Sequence, residues 1–189
     1  GLQVYGDNGK WKRNVPNAPS DLHGFVIKNE GKQEFIYAVR VSGGELLKMT
    51  LNGKVVLRIP ASSIPDKFKR KGKDRKPFVR LTGADVAANG DIFLTDGYSS
   101  DHIHRFDRNG KYLNSFGGKE APYGFRTLHK LVIDTRFSSA RIIGMDRANN
   151  RVIHLGLDGK FIGVVEEGLL LPACVHIHGD WAVIGELGG

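Results

Sequence analysis

The chain contains a single cysteine, so it cannot form an intrachain disulfide and must be stabilised by a hydrophobic core. No apolar run approaches the ~20 residues that a membrane-spanning helix needs. No window keeps a helical apolar period over a dozen residues, which argues against a helix-rich domain. A Gly-rich phosphate loop, a Ser-His-Asp set with a nucleophile elbow and paired metal-binding cysteines are also missing. The corresponding classes of enzyme and metal site therefore have no support.

The sequence does contain a repeated turn. Its 189 residues include 25 glycines against 7 prolines, which is typical of a turn-rich domain with one core. Asn or Asp, then Gly, then Lys recur at 8–10, 52–54, 109–111 and 158–160. The glycines are 44, 57 and 49 residues apart, and short apolar strands flank each turn. Because Asn-Gly and Asp-Gly tolerate positive φ, the pattern predicts four hairpins.

A second pair of strands precedes each of the last three hairpins. Four strands in roughly 45 to 55 residues are typical of a β-propeller blade. We therefore predict an all-β propeller over residues 1–189, with blades at 22–60, 82–117 and 128–166. Half-blades are predicted at 2–13 and 173–187.

The half-blades allow three arrangements. The ends of one chain can pair to close a four-bladed ring, two chains can share blades in a homodimer, or the chain can be part of a longer, six-bladed propeller. Each arrangement would pair the strand edges, which are an aggregation hazard when left open. We favour the longer propeller. A dimer is then the way in which this piece would be stable on its own.

Four side chains fall at or near the start of the predicted innermost strands: His23, Asp85, His129 and Cys174. Inner strands line the central channel of a propeller, so these side chains can converge although they are distant in sequence. Two histidines at matching blade positions indicate a zinc site, which in enzymes usually has three protein ligands. A structural role for both histidines stays open as the alternative.

The stretch from Lys67 to Arg80, called the basic segment below, holds eight Lys or Arg residues and one Asp. It accounts for most of the net charge of +8. Phe68 and Phe78 could stack on bases of a nucleic acid. We favour the simpler interpretation, a solvated loop between strands.

Residues 82–155 resemble the NHL-repeat propellers and, among these, the peptidyl-α-hydroxyglycine α-amidating lyase domain. The resemblance is carried by DIFLTDGYSSDHIHRF (91–106), GKYLNSFG (110–117), GF followed by LHKLVI (124–133), and MDRANNRVIHL (145–155). It implies a six-bladed propeller and, since the family is secreted in animals, favours an extracytoplasmic location. It also implies a catalytic zinc held by three histidines from different blades, an active-site tyrosine and arginine, and a nearby structural calcium.

By this resemblance, LHKLVI puts His129 on a zinc ligand, DGY puts Tyr98 on the tyrosine, and MDR puts Arg147 on the arginine. His23, in LHGFVI, matches a second ligand less closely. The third ligand of the family lies in a C-terminal blade that has no counterpart in this chain. Alternatives remain for two of these residues: Tyr98 as a turn-packing residue, and Arg147 as an ion-pair partner of Asp96 or Asp146.

Two functions follow from these observations. The first is a metal-binding propeller whose channel mouth resembles an amidating-lyase site and takes a small molecule or peptide, either as an enzyme or as a binding protein. The second is a non-catalytic scaffold that binds protein, glycan or nucleic acid, with the basic segment as the nucleic-acid surface.

Overall fold

The computed structural model describes residues 1–188, which form antiparallel sheets joined by turns. An N-terminal half-blade contains β1 (Gln3–Tyr5) and β2 (Trp11–Asn14). The first blade contains β3 (Leu22–Glu30), β4 (Gln33–Arg40), β5 (Glu45–Thr50) and β6 (Val55–Pro60). A small hairpin of β7 (Arg70–Lys71) and β8 (Pro77–Phe78) follows.

The second blade contains β9 (Gly83–Val86), β10 (Ile92–Thr95), β11 (His102–Phe106) and β12 (Tyr112–Gly117). The third contains β13 (Leu128–Asp134), β14 (Arg141–Asp146), β15 (Arg151–Gly156) and β16 (Phe161–Glu166). A C-terminal half-blade contains β17 (Pro172–His178) and β18 (Trp181–Glu186). Strands pair in chain order within every blade, and no sheet among residues 1–188 closes on itself. The prediction of an all-β fold with four-stranded blades is confirmed.

The helical elements of the described chain are short 3₁₀ turns at Ala61–Ser63, Asp66–Phe68 and Arg147–Asn149. None of them has the length and apolarity to cross a bilayer.

The repeated turn joins the third and fourth strands of each blade and the two strands of the N-terminal half-blade. Its glycines, Gly9, Gly53, Gly110 and Gly159, have φ values of 72°, 80°, 82° and 93°. An L-residue rarely adopts this conformation, which is why glycine recurs there.

The core lies between blades. In β10, Ile92 and Leu94 pack towards the first blade, whereas Phe93 packs towards the third. All three are fully buried, because successive side chains of a strand point to opposite faces and both faces of this sheet are covered. Blade-on-blade packing therefore explains a continuous apolar run in a strand of an antiparallel sheet.

First strands meet at the centre of the molecule. β9 lies between β3 and β13, and β17 packs on the other side of β13. These four strands line a cavity of about 480 Å³. The first strands therefore line one shared cavity, and their starting residues lie beyond one end of it, which is called the channel mouth below.

Buried carboxylates at the blade corners give a test of the fold. The Asp146 side chain is fully buried and accepts hydrogen bonds from the Arg126 backbone N–H at 2.8 Å and from Arg151 Nε at 2.7 Å. We expect Asp146→Ala to lower the free energy of unfolding by about 3 kcal/mol, because it leaves a buried donor and a guanidinium unpaired. Urea unfolding followed by circular dichroism measures the change.

The exposed Asp180 provides the matched control. We expect Asp180→Ala to change the free energy of unfolding by less than about 0.5 kcal/mol. Equal losses in the two variants would show that the Asp146 carboxylate is not a structural anchor.

Candidate functional site

Two aspartates at the ends of the second strands of neighbouring blades hold the loops that carry site residues. Asp96 follows β10 and accepts from the Arg80 backbone N–H at 2.8 Å and from Ser100 Oγ at 2.8 Å. Asp146 ends β14 and accepts from the Arg126 backbone N–H at 2.8 Å. Both carboxylates are fully buried. Each one fixes the loop that leaves its strand, and those two loops carry Tyr98 and Arg147.

His23 and His129 occupy equivalent irregular positions in the first strands. The β3–β4 register shifts between Leu22 and Gly24, so His23 falls within the shift. The β13–β14 register shifts in the same way between Leu128 and Lys130, around His129. A bulge of this kind re-aims the side chain at that position. Here it brings the two imidazoles together, with ring centroids 5.0 Å apart.

Each imidazole is oriented by a carbonyl of the blade that follows it in sequence. His23 Nδ1 donates to the Thr82 carbonyl at 2.9 Å, and His129 Nδ1 donates to the Ala173 carbonyl at 2.7 Å. A carbonyl oxygen can only accept, so both Nδ1 atoms carry a proton, and in the neutral form of such a ring the lone pair is on Nε2. This outer hydrogen bond to Nδ1 is the usual arrangement of a metal-ligating histidine.

The Tyr98 hydroxyl lies between the two histidines. Its Oη lies 3.0 Å from His129 Nε2 and 3.3 Å from His23 Nε2, and it accepts from Arg147 Nη1 at 3.2 Å. The Arg147 guanidinium also lies 5.3 Å from the centroid of the Tyr98 ring. The four predicted site residues therefore form one cluster. His23 is exposed and the other three are half-buried, so the cluster opens to solvent.

Two glycines permit this close approach of blades. A Cβ at Gly24 would lie 2.6 Å from the Thr82 carbonyl oxygen, and one at Gly97 would lie 2.3 Å from the Leu128 carbonyl oxygen. Larger residues would push β3 away from β9, and the Tyr98 loop away from β13. The glycine of the DGY sequence thus positions Tyr98 beside His129.

The two imidazoles of the cluster present more acceptor atoms than the hydroxyl between them can satisfy. Two Nε2 lone pairs face one hydroxyl, which has a single proton to donate. When that proton goes to His129, the lone pair of His23 faces the hydroxyl without a donor. A cation bound by both imidazoles would satisfy both lone pairs, so the donor set fits two of the ligands of a zinc ion. Within residues 1–188, no group of three or more His, Cys, Asp or Glu side chains is arranged to hold a metal.

The surroundings of His129 favour the neutral imidazole. Burial lowers the pKa of His129 to about 4, and the charge of Arg147 adds to this effect, whereas the hydrogen bond to the Ala173 carbonyl opposes it. A neutral imidazole is the form that binds a metal.

Comparisons with known proteins find relatives in sequence and in fold. The chain is 28% identical, over 134 residues, to a probable peptidyl-α-hydroxyglycine α-amidating lyase of Caenorhabditis elegans. The match covers 69% of the chain and 35% of that protein. The resemblance seen in the sequence is confirmed. No profile of a known protein family matches the chain.

Solved structures show the same fold. A streptogramin B lyase structure aligns with a TM-score of 0.63 and 15% identity over 92% of this chain. Virginiamycin B lyase from Staphylococcus aureus aligns with a TM-score of 0.59 and 14% identity over 86% of this chain. At such identities the likeness concerns the fold alone, and it supports a β-propeller. The chain spans 50% and 47% of these two structures, about half of their length.

Two other positions at strand starts differ from the sequence interpretation. The β17–β18 register shifts between Pro172 and Cys174, so Ala173 and not Cys174 occupies the position equivalent to His129. Asp85 lies further along its strand, where it pairs with Lys28 Nζ at 2.6 Å and accepts from the Ile133 backbone N–H at 2.7 Å. Asp85 therefore links the first strands of three blades and does not join the cluster.

The ion-pair interpretation of Arg147 can also be compared with the structure, and so can the positions of three other histidines. Asp146 pairs with Arg151 at 2.7 Å, and no ion pair within residues 1–188 involves Arg147. His104 is buried within its blade and bonds to Ser115, whereas His176 and His178 are exposed. None of these three histidines forms part of the cluster.

The groups that sequence reasoning missed are the carbonyls of Thr82 and Ala173. Every residue has a carbonyl, so residue type gives no signal for them. Their positions at the starts of first strands, in the blades that follow the histidines, are the feature that could have indicated them.

The low pKa of His129 predicts a pH effect on stability. Between about pH 4 and the ordinary value of 6.5, the unfolded chain binds the proton and the folded chain does not. The neutral imidazole therefore contributes stability that is present above about pH 6.5 and is lost as the pH falls towards 4. We expect His129→Gln to lose less stability than the wild type across this window. Urea unfolding at several pH values tests this, and parallel curves for the two proteins would contradict it.

Proposed function

We propose that this propeller holds a zinc ion at its channel mouth through His23 and His129, and that Tyr98 and Arg147 act on a peptide ligand of the α-hydroxyglycine type. The observation that carries the proposal is the pair of Nε2 lone pairs that face a single hydroxyl proton. The similarity to a probable amidating lyase supports this chemistry, and the solved structures support the propeller fold. The chain matches 35% of that relative, so the activity of the whole relative is proposed here and not shown.

Breaking an α-hydroxyglycine peptide requires one proton to move. The carbinol O–H becomes the carbonyl of glyoxylate, the C–N bond breaks, and its electron pair and a proton go to the amide nitrogen. When bound, zinc would act as a Lewis acid that makes the carbinol oxygen more acidic. In this proposal Tyr98 carries the proton, which is supported by the hydrogen-bond distance of its hydroxyl from both imidazoles and from a guanidinium.

Arg147 has two uses. One N–H group donates to Tyr98 Oη, which orients the phenol. The other N–H groups make no hydrogen bond with residues 1–188 and can bind a carboxylate, such as that of the hydroxyglycine unit. Arg147 thus places the ligand carboxylate beside the proton carrier.

A non-catalytic binding scaffold is the second candidate. It is favoured by the ligand set, because only two metal-binding side chains converge within residues 1–188. On this account the cluster binds a ligand without cleaving it. The structural calcium that the family resemblance implies stays a prediction.

Metal content is the first test. We expect about one zinc per chain, by elemental analysis, in protein purified without a metal-affinity step. His129→Ala should lose most of it, because the site then keeps a single imidazole. His178→Ala is the matched control, since His178 is exposed on β17 and should not affect zinc content. A wild type without stoichiometric zinc, or a His129→Ala variant that keeps it, would refute the proposed metal site.

Glyoxylate release tests the chemical role. With an α-hydroxyglycine peptide as substrate, Tyr98→Phe should reduce the rate about 10²- to 10⁴-fold while zinc content stays at the wild-type level, because only the proton carrier is removed. An unchanged rate would exclude Tyr98 as that carrier. A zinc-loaded wild type that binds the peptide without releasing glyoxylate would establish the scaffold instead.

A further inference from the structure

The basic segment is anchored at both ends to the loop that carries Tyr98. Ser100 Oγ donates to the Phe68 carbonyl at 2.7 Å, and the Arg80 backbone N–H donates to Asp96 at 2.8 Å. Tyr98 lies between Asp96 and Ser100 in the sequence. The loop that carries Tyr98 thus also holds both ends of the basic segment.

The topology places the basic segment on the same face of the propeller as the site. The segment connects β6 to β9, so it ends where a first strand begins, and first strands begin at the channel mouth. In its hairpin, Arg70 pairs with Phe78 and Lys71 pairs with Pro77. The turn at 72–76 begins and ends four residues from the anchors Phe68 and Arg80, which at ~3.3 Å per residue is within about 15 Å. The turns with the repeated Lys lie at the opposite ends of the strands.

Most of the charge on this segment is unpaired. Two ion pairs involve its eight Lys or Arg residues: Lys69 with Asp66 at 2.9 Å, and Lys76 with Asp74 at 3.7 Å. The other six cations make no ion pair with residues 1–188 and, with Lys76, are exposed: Lys67, Arg70, Lys71, Lys73, Arg75 and Arg80. Such a cluster attracts anions to the rim of the site.

The aromatic residues of the segment argue against nucleic acid as the partner. Binding of single strands relies on exposed aromatic rings on which bases stack. Phe68 instead packs against the core of the first two blades, with its ring 5.2 Å from that of His102. Phe78 is half-buried, and the Arg80 guanidinium lies 5.8 Å from its ring centroid. The exposed groups that remain are charges, which suit carboxylates.

We infer that the basic segment recognises acidic residues of a peptide whose C-terminal unit occupies the cluster of His23, His129, Tyr98 and Arg147. The inference rests on the proposed function of that cluster and adds a substrate class: peptides with Asp or Glu upstream of the C-terminus. Exposed Lys and Arg side chains on a short hairpin bind such residues by charge, which makes the preference sensitive to salt.

Fluorescence anisotropy tests the inference with two labelled hexapeptides that end in glycine, one rich in Asp and Glu and the other carrying Asn and Gln instead. We expect the full chain to bind the acidic peptide about tenfold more tightly at low salt, with a smaller ratio at 0.5 M salt. Lys71→Gln, Lys73→Gln, Arg75→Gln and Lys76→Gln combined should abolish the preference. The matched control replaces the exposed turn residues Lys10, Lys54, Lys111 and Lys160 by Gln, removing the same charge from the opposite face, and should keep the preference.

Equal affinity for the two peptides, or an equal loss in the control variant, would overturn the inference. So would tighter binding of an oligothymidylate of equal charge, which would assign the segment to nucleic acid. Zinc content measured on the same samples separates the two proposals. Stoichiometric zinc without acidic preference refutes only the role of the segment, whereas acidic preference without zinc supports that role and refutes the metal site.

Discussion

A buried carboxylate that accepts backbone and side-chain hydrogen bonds at the end of a second strand is the interaction on which the rest of the site depends. Asp96 and Asp146 both do this. Each one joins the connection before its blade to the loop that follows the second strand of that blade. Because a buried carboxyl group is costly without hydrogen-bond partners, these contacts favour one position of each loop. The next residues along the chain are those that reach into the channel mouth, Tyr98 and Arg147.

The histidines depend on a different constraint, the packing of one blade on the next. His23 needs the Thr82 carbonyl and His129 needs that of Ala173, so neither ring is oriented by its own blade. Loosening the contact between blades would free Nδ1 and allow the tautomer to change. The site is therefore a property of the arc of blades, and the buried apolar strands between blades support its chemistry indirectly.

The cluster and the basic segment share one loop, so the two proposed ligand contacts are joined in the structure. The segment is hydrogen-bonded to Asp96 and Ser100, residues on either side of Tyr98. A peptide that contacts both would be held near the charges at the rim and near the phenol at the centre. The basic segment thus lies where it can influence which ligand reaches the site.

The sequence alone determined the local features of this protein. The repeated Asn-Gly-Lys and Asp-Gly-Lys turns, with strands before and after, were sufficient for the all-β class and the four-stranded unit, because turn chemistry and alternation are local properties. The positions of His23, Tyr98, His129 and Arg147 within their repeats, together with the family resemblance, were sufficient to nominate them.

Only the tertiary structure decided how these residues meet. A register shift of one residue determines whether Ala173 or Cys174 matches His129, and turn spacing does not resolve a single residue. The carbonyls that orient the imidazoles cannot be identified from residue type, because every residue has a backbone carbonyl. The sequence predicts Asp85 at the start of its strand like the histidines, yet it lies further along and binds a lysine and a backbone N–H of neighbouring strands. Contacts between blades decide these matters, since they join residues that are tens of positions apart in the chain.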